Sequence, residues 1–225
     1  MPMRALLADV LKAWNSHSGW MAWNLFLAFI PLALSFWLFR RTFRSLSVGW
    51  SVVWWVGFLV FIAFLPNAPY LLTDIIHLIG AIRTGYSIWI VTLVLIPQHL
   101  LVILAGFEAY VLSLINLGYY LKRQGLGKLV LWAELITHAL CAIGVYLGRF
   151  KRLNSWDLVT QPDDLARTVV NDLTDKRPVL VIAITFVIVT VFYWLMKQVT
   201  LGLLLKMRQR SSKGTASGDQ QGSLE

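Results

Sequence analysis

The apolar residues of this 225-residue chain are gathered into five long runs that short polar connections separate. A helix needs about 20 predominantly apolar residues to cross the hydrocarbon core of a bilayer. Helices and closed barrels are the structures that satisfy their backbone polar groups there. The pattern therefore predicts an all-α, polytopic transmembrane helix bundle of about five spans. The predicted spans are residues 20–39, 48–65, 88–117, 129–147 and 179–199.

Three regions lie beside or within the predicted transmembrane domain, which covers residues 20–205. Residues 1–19 mix charged side chains with leucines and predict an amphipathic helix at the membrane interface. Residues 148–178 form a long polar segment between the last two spans. Residues 206–225 are basic and then rich in Ser, Gly and Gln, a composition typical of disorder.

Composition agrees with this picture, since 58% of the residues are hydrophobic and only 14% are charged. A soluble domain has about 25% charged residues. The net charge of +9 does not indicate nucleic-acid binding, because the basic residues cluster in connections and in the tail. Cys141 is the one cysteine of the chain, so an internal disulfide is excluded. Membrane lipids are the expected partners, and the sequence identifies no protein partner.

Orientation follows from the basic connections, residues 40–44 and 122–128, and from the basic tail. Basic loops tend to remain in the cytoplasm, so we expect these three regions inside and the N-terminus outside. The third run is either one long kinked helix or two short ones. Only a single crossing keeps residues 122–128 inside. The segment 148–178 is an exception, since it carries six Lys and Arg residues yet falls outside.

The second run ends in a sharp interruption, Pro-Asn-Ala-Pro, at residues 66–69. Two prolines three apart cannot lie inside a regular helix, because each lacks a donor and clashes with the preceding turn. Asn67 is a good N-cap, and Pro69 is tolerated in a first helical turn. The pattern predicts that a new short interfacial helix begins here.

Tyr70, Asp74 and His77 fall on one face of this short helix, at positions i, i+4 and i+7. Asp and His are suitable ligands for zinc and similar ions. The alternative is structural, with the same side chains capping and locking a loop at the surface. Both interpretations stay open at this point.

A second polar motif follows the fourth span and contains Arg149, Arg152, Asn154 and Asp157. The two arginines could clamp a phosphate or carboxylate. They could equally anchor the span end to lipid headgroups. Asn154 would then cap a following helix, and the Asp157 carboxylate would stabilise the N-terminus of that helix.

Four ionisable side chains lie inside spans: His99, Glu108, Glu134 and His138. A rise of about 1.5 Å per residue places both histidines near the middle of the membrane. Such residues face the protein interior or water. Glu134 and His138 could form a proton relay or half of a metal site, or they could only hold helices together.

Three segments together resemble a known family: NLFLAFIPL at residues 24–32, FLPNAPYLLTDIIHL at 64–78 and GRFKRLNSWD at 148–157. The chain is similar to the bacterial membrane family called domain of unknown function 1361. The resemblance implies a polytopic protein of the bacterial inner membrane. It assigns no catalytic residues.

Three functions compete, and whether the chain is an enzyme stays open. The first is a site at the extracytoplasmic interface for a lipid-like or amphipathic substrate. Its catalytic candidates are Asp74, His77 and Asp157, and its binding candidates are Asn67, Tyr70, Arg149, Arg152 and Asn154. A divalent metal is conceivable there, with Asp74 and His77 as ligands. The second is a proton-coupled carrier that uses His99, Glu108, Glu134 and His138. The third is a non-catalytic membrane subunit or assembly factor.

Overall fold

A computed structural model of the chain describes residues 3–40, 48–153, 160 and 162–221. The regular structure of these residues is helical, and five of the helices are long and apolar enough to cross a membrane. The predicted all-α bundle of five spans is therefore confirmed, and the chain is a multi-pass membrane protein. The α-helices are α1 (Met3–Ser35), α2 (Val48–Phe64), α3 (Asn67–Tyr70), α4 (Ile75–Arg83), α5 (Ile88–Ile90), α6 (Ile96–Arg123), α7 (Val130–Tyr146), α8 (Pro162–Thr174) and α9 (Lys176–Gln221).

The first and last helices are longer than the predicted spans. Helix α1 begins at Met3 and continues through a π-helical turn, Phe36–Arg40, so the N-terminal segment joins the first span without a break. Helix α9 continues to Gln221 and includes the tail for which composition predicts disorder. The interfacial position of residues 1–19 and the disorder of residues 206–225 stay predictions.

The interruption at residues 66–69 does produce a short helix, but Asn67 does not cap it. The N-cap position is Pro66, whose φ of −62° and ψ of −21° are helical. A capping side chain needs a residue that leaves the helical conformation, and here the backbone does not leave it. The Asn67 Nδ2 instead donates back to the Phe64 carbonyl at 2.9 Å. A 3-10 turn, Leu71–Asp74, then connects α3 to α4.

The third apolar run is one continuous helical stretch, Ile88–Arg123, of 36 residues. A π-helical turn, Val91–Leu95, separates α5 from α6, and Pro97 lies in the first turn of α6. Proline is tolerated there because the preceding π-helical turn is wider than an α-helical turn, which relieves the clash between the proline ring and the preceding carbonyl. The run is therefore one candidate span, which agrees with the single crossing that the distribution of basic residues predicts.

The core lies where α1, α2 and α6 meet, and it is built from large apolar side chains such as Phe39, Phe61 and Phe107. Many equally large side chains on the outside are exposed, which suits helices surrounded by lipid. At the end of α1 away from the Pro-Asn-Ala-Pro interruption, Arg40 Nε donates to Asn116 Oδ1 at 2.7 Å.

Two glycines allow close packing around the interruption. A Cβ at position 106 would lie 2.0 Å from Leu71 Cδ1, and one at position 144 would lie 2.6 Å from Pro66 Cβ. Helices in membranes approach closely at small residues. Gly144 thus lets α7 pack against the rigid Pro66 ring.

We expect Gly144→Ala to lower the stability of the protein in detergent by about 1–3 kcal/mol, because the new methyl group overpacks a rigid contact. Gly202→Ala in α9 is the matched control, since a Cβ added at that position would meet nothing within 4 Å. Thermal unfolding of both variants checks this. Equal melting temperatures for the two variants would contradict the close contact.

Candidate functional site

The two polar motifs meet at one end of the bundle. The 3-10 turn Leu71–Asp74 lies beside a π-helical turn, Leu147–Lys151, that extends α7. Gly148 permits this approach, because a Cβ there would lie 3.1 Å from Tyr70 Cε2. The turns therefore bring Arg149 against the face that carries Tyr70, Asp74 and His77.

Asp74 is the buried centre of this arrangement, with 2% of its surface exposed. Its Oδ1 accepts a hydrogen bond from Arg149 Nη2 at 2.5 Å. Its Oδ2 accepts one from Asn24 Nδ2, on α1, at 3.4 Å. A buried carboxylate requires such a charged partner, so three parts of the chain are joined at this side chain.

The Arg149 guanidinium is engaged on every side. Its Nε and Nη2 donate to Thr73 Oγ1 at 2.9 and 2.6 Å. Its Nη1 lies 3.2 Å from His77 Nε2, which accepts the bond. Its Cζ lies 4.4 Å from the centroid of the Tyr70 ring, a cation–π distance. The guanidinium is thus fixed between Tyr70 and His77.

This geometry does not suit a metal held by Asp74 and His77. Arg149 already occupies the carboxylate oxygen and the imidazole lone pair that would bind the ion. Over the described residues, no group of three or more His, Cys, Asp or Glu side chains lies close enough to hold a metal. Asp157 falls outside those residues.

A cleft of about 650 Å³ opens beside Tyr70, between α1, the interruption and α7. Its apolar lining includes Leu27, Ile62, Leu140, Ile143 and Leu147, and its polar lining includes Asn24, Asn67, Tyr70 and Arg152. Helix α8 adds Val169 to the lining and is tied to the end of α7, since Lys151 Nζ lies 3.0 Å from Asp172 Oδ2. The described lining of the cleft is mostly apolar and includes one cation, Arg152.

Arg152 lines this cleft with an unusual backbone. Its φ of 58° and ψ of 30° are left-handed, and within the described chain it is the one residue other than glycine with a positive φ. Such conformations are uncommon outside glycine and cluster at functional sites. This left-handed residue ends the π-helical turn.

The structure sorts the predicted interfacial residues into three groups. Tyr70, Asp74, His77 and Arg149 are in mutual contact around one guanidinium. Asn67 and Arg152 line the cleft instead. Asn154 and Asp157 lie outside the described residues, so their part in the site stays a prediction.

His99 does not lie with the other three midspan residues. Its ring is 6.1 Å from Trp20 and 5.7 Å from His17, near the end of the bundle that holds His77. The position of His99 near the middle of the membrane stays a prediction. A 36-residue helix is about 54 Å long and extends beyond a core of about 30 Å.

Glu134 and His138 face a neighbouring span, as expected for ionisable residues in a membrane. Glu134 Oε1 accepts hydrogen bonds from Tyr193 Oη at 2.7 Å and from Lys197 Nζ at 2.5 Å. The His138 Nδ1 lies 2.6 Å from Tyr110 Oη. This polar cluster joins α6, α7 and α9 inside the bundle.

Glu108 is separate again, and its Oε1 accepts a hydrogen bond from Thr200 Oγ1 at 2.7 Å. Sequence reasoning missed Thr200 as the partner of Glu108 and Lys197 as the partner of Glu134. Lys197 carried a usable signal, because a lysine within an apolar run requires a carboxylate nearby. Asn24 and Thr73, by contrast, gave no signal that they would contact Asp74 or Arg149.

Comparison with known proteins gives one result. The model of DUF1361, a family of proteins of unknown function, matches residues 23–191. This range includes both polar motifs and most of the bundle. No curated protein and no solved structure matches the chain.

We expect Lys197→Met to lower the free energy of unfolding by about 2–4 kcal/mol, because it leaves the Glu134 carboxylate buried without its cation. The double variant Glu134→Gln with Lys197→Met should recover much of this loss. Lys206→Met, at an exposed position of α9, is the control. Unfolding in detergent measures all three, and a loss for Lys197→Met no larger than the control's would refute the pairing.

Proposed function

We propose that this chain, which belongs to the DUF1361 family of proteins of unknown function, binds a lipid-like amphipathic molecule. The binding site is the cleft between α1, the Pro-Asn-Ala-Pro interruption and α7. We place it at the extracytoplasmic interface of a bacterial inner membrane, where both polar motifs are expected to open.

The observation that carries the proposal is the make-up of the cleft. Its volume of about 650 Å³ falls in the range of small-molecule sites, roughly 300–1,000 Å³. Such sites combine a mostly apolar lining with a few polar groups that orient the ligand. Here an apolar channel adjoins an arginine and two amides, the combination that an acyl chain with an anionic head group requires.

The apolar part of the ligand would lie along Leu27, Ile62 and Ile143, which are contributed by α1, α2 and α7. The head group would meet Arg152, whose guanidinium forms charge-assisted hydrogen bonds with carboxylate or phosphate. The amides of Asn24 and Asn67 supply additional polar contacts. Membrane lipids are therefore the proposed partners.

The pair formed by Asp74 and Arg149 positions side chains that line the cleft. Arg149 holds the Tyr70 ring that forms part of the cleft lining, and Asp74 holds the Asn24 amide that also faces the cleft. Both Asp74 oxygens accept hydrogen bonds, which favours a positioning role over general-base chemistry. Binding is accordingly better supported than hydrolysis.

A proton-coupled carrier has less support. His99, Glu108 and Glu134 lie in three separate surroundings, and the Glu134 charge is paired with Lys197. A role as a membrane subunit is compatible with lipid binding, because the same cleft could hold a structural lipid.

Native mass spectrometry of protein purified in mild detergent tests the proposal. We expect a stoichiometric lipid-like adduct on the wild type. Arg152→Gln should lower its occupancy about tenfold, because a charge-assisted hydrogen bond is lost. Ile143→Trp should lower it similarly by filling the cleft.

Ile136→Trp is the matched control, since the same substitution there falls on an exposed face of α7. Arg83→Gln, at an exposed position at the end of α4, controls for the loss of an arginine. Both controls should retain the adduct. A wild type without any adduct, or unchanged occupancy in both cleft variants, would rule out the proposed site.

A further inference from the structure

A second groove, of about 690 Å³, opens on the other side of the Arg149 guanidinium. It lies between the N-terminal half of α1 and helix α4, and it shares no lining residue with the first cleft. His77 lines the groove and Tyr70 lines the cleft, and Arg149 contacts both. The two openings are therefore adjacent but distinct.

The polar lining of the groove consists of hydrogen-bond donors and groups that can become donors. These side chains are Lys12, Ser16, His17, His77, Thr84 and Tyr86. No Asp or Glu side chain is among the described lining residues. Trp20 supplies an apolar surface between them, since its ring lies 4.7 Å from that of His77.

Several of these donors have no partner within the described part of the chain. The Lys12 ammonium and the Tyr86 hydroxyl make no hydrogen bond or ion pair with another described residue. His77 Nε2 accepts a hydrogen bond from Arg149, so in the neutral ring the Nδ1 carries the proton and can donate. The groove thus offers at least three donors to a ligand.

A cation does not suit this lining. His77 and His99 pack against Trp20, and His17 packs against His99, but the described residues contain no group that could hold a metal. Lys12 would also repel a metal ion. The Asp74 carboxylate lies 4.0 Å from His77 Nε2 and is already paired with Arg149.

We propose that this groove binds a phosphate-type oxyanion through Lys12, His77 and Tyr86, a site that goes beyond the lipid cleft. An oxyanion accepts charge-assisted hydrogen bonds, which suits a lining of donors that includes a lysine. The oxyanion belongs either to a lipid head group or to a free phosphate ester. The two sources share this chemistry and differ in whether an acyl chain accompanies it.

Equilibrium dialysis of the full-length protein in detergent against radiolabelled inorganic phosphate tests the free source. We expect saturable binding of one phosphate. Lys12→Gln should weaken it about tenfold or more, and Tyr86→Phe about threefold or more, because a charged and a neutral hydrogen bond are removed. Lys128→Gln, in the connection before α7, is the control and should bind as the wild type does.

The lipid source is tested by adding phosphatidylglycerol or a neutral glycolipid and recording retained lipid by native mass spectrometry. If Lys12→Gln loses phosphatidylglycerol and Arg152→Gln retains it, the lipid binds in this groove. The reverse pattern belongs to the cleft, so the two proposals fail separately. Saturable binding of neither phosphate nor phosphatidylglycerol, or binding that Lys12→Gln leaves unchanged, overturns the inference.

Discussion

The ion pair between Asp74 and Arg149 is the constraint on which one end of this bundle depends, the end that holds the Pro-Asn-Ala-Pro interruption. A carboxylate with 2% of its surface exposed is unfavourable there unless a cation reaches it. That cation comes from a different span, 75 residues further along the chain. The pair therefore fixes the interruption after α2 against the end of α7, and Asn24 adds α1 to the same contact.

The two openings follow from that contact. Because Arg149 is fixed between Tyr70 and His77, it separates an apolar cleft with one arginine from a polar groove with a lysine and histidines. Among the described lining residues, both openings present cations and amides or hydroxyls rather than carboxylates. This shared chemistry connects the proposed lipid-like ligand with the proposed oxyanion, although each site is tested by its own residues.

The sequence was most informative where a local rule decides the structure. Apolar run length predicted five spans, and helical spacing predicted that Tyr70, Asp74 and His77 share a face. Sequence reasoning failed where the outcome depended on neighbouring backbone. Asn67 did not cap a helix because Pro66 remained helical. Partners such as Asn24 depend on tertiary packing, which no spacing rule encodes.

A double-substitution cycle on Asp74 and Arg149 tests the central claim most directly. Unfolding in detergent would be measured for Asp74→Asn, for Arg149→Met and for the two combined. We predict that each single change lowers stability by about 3–5 kcal/mol, because each leaves a buried charge unpaired. The combined change should cost less than the sum by at least about 2 kcal/mol. Losses that add to within about 0.5 kcal/mol would show that the two side chains act independently, and would contradict the account.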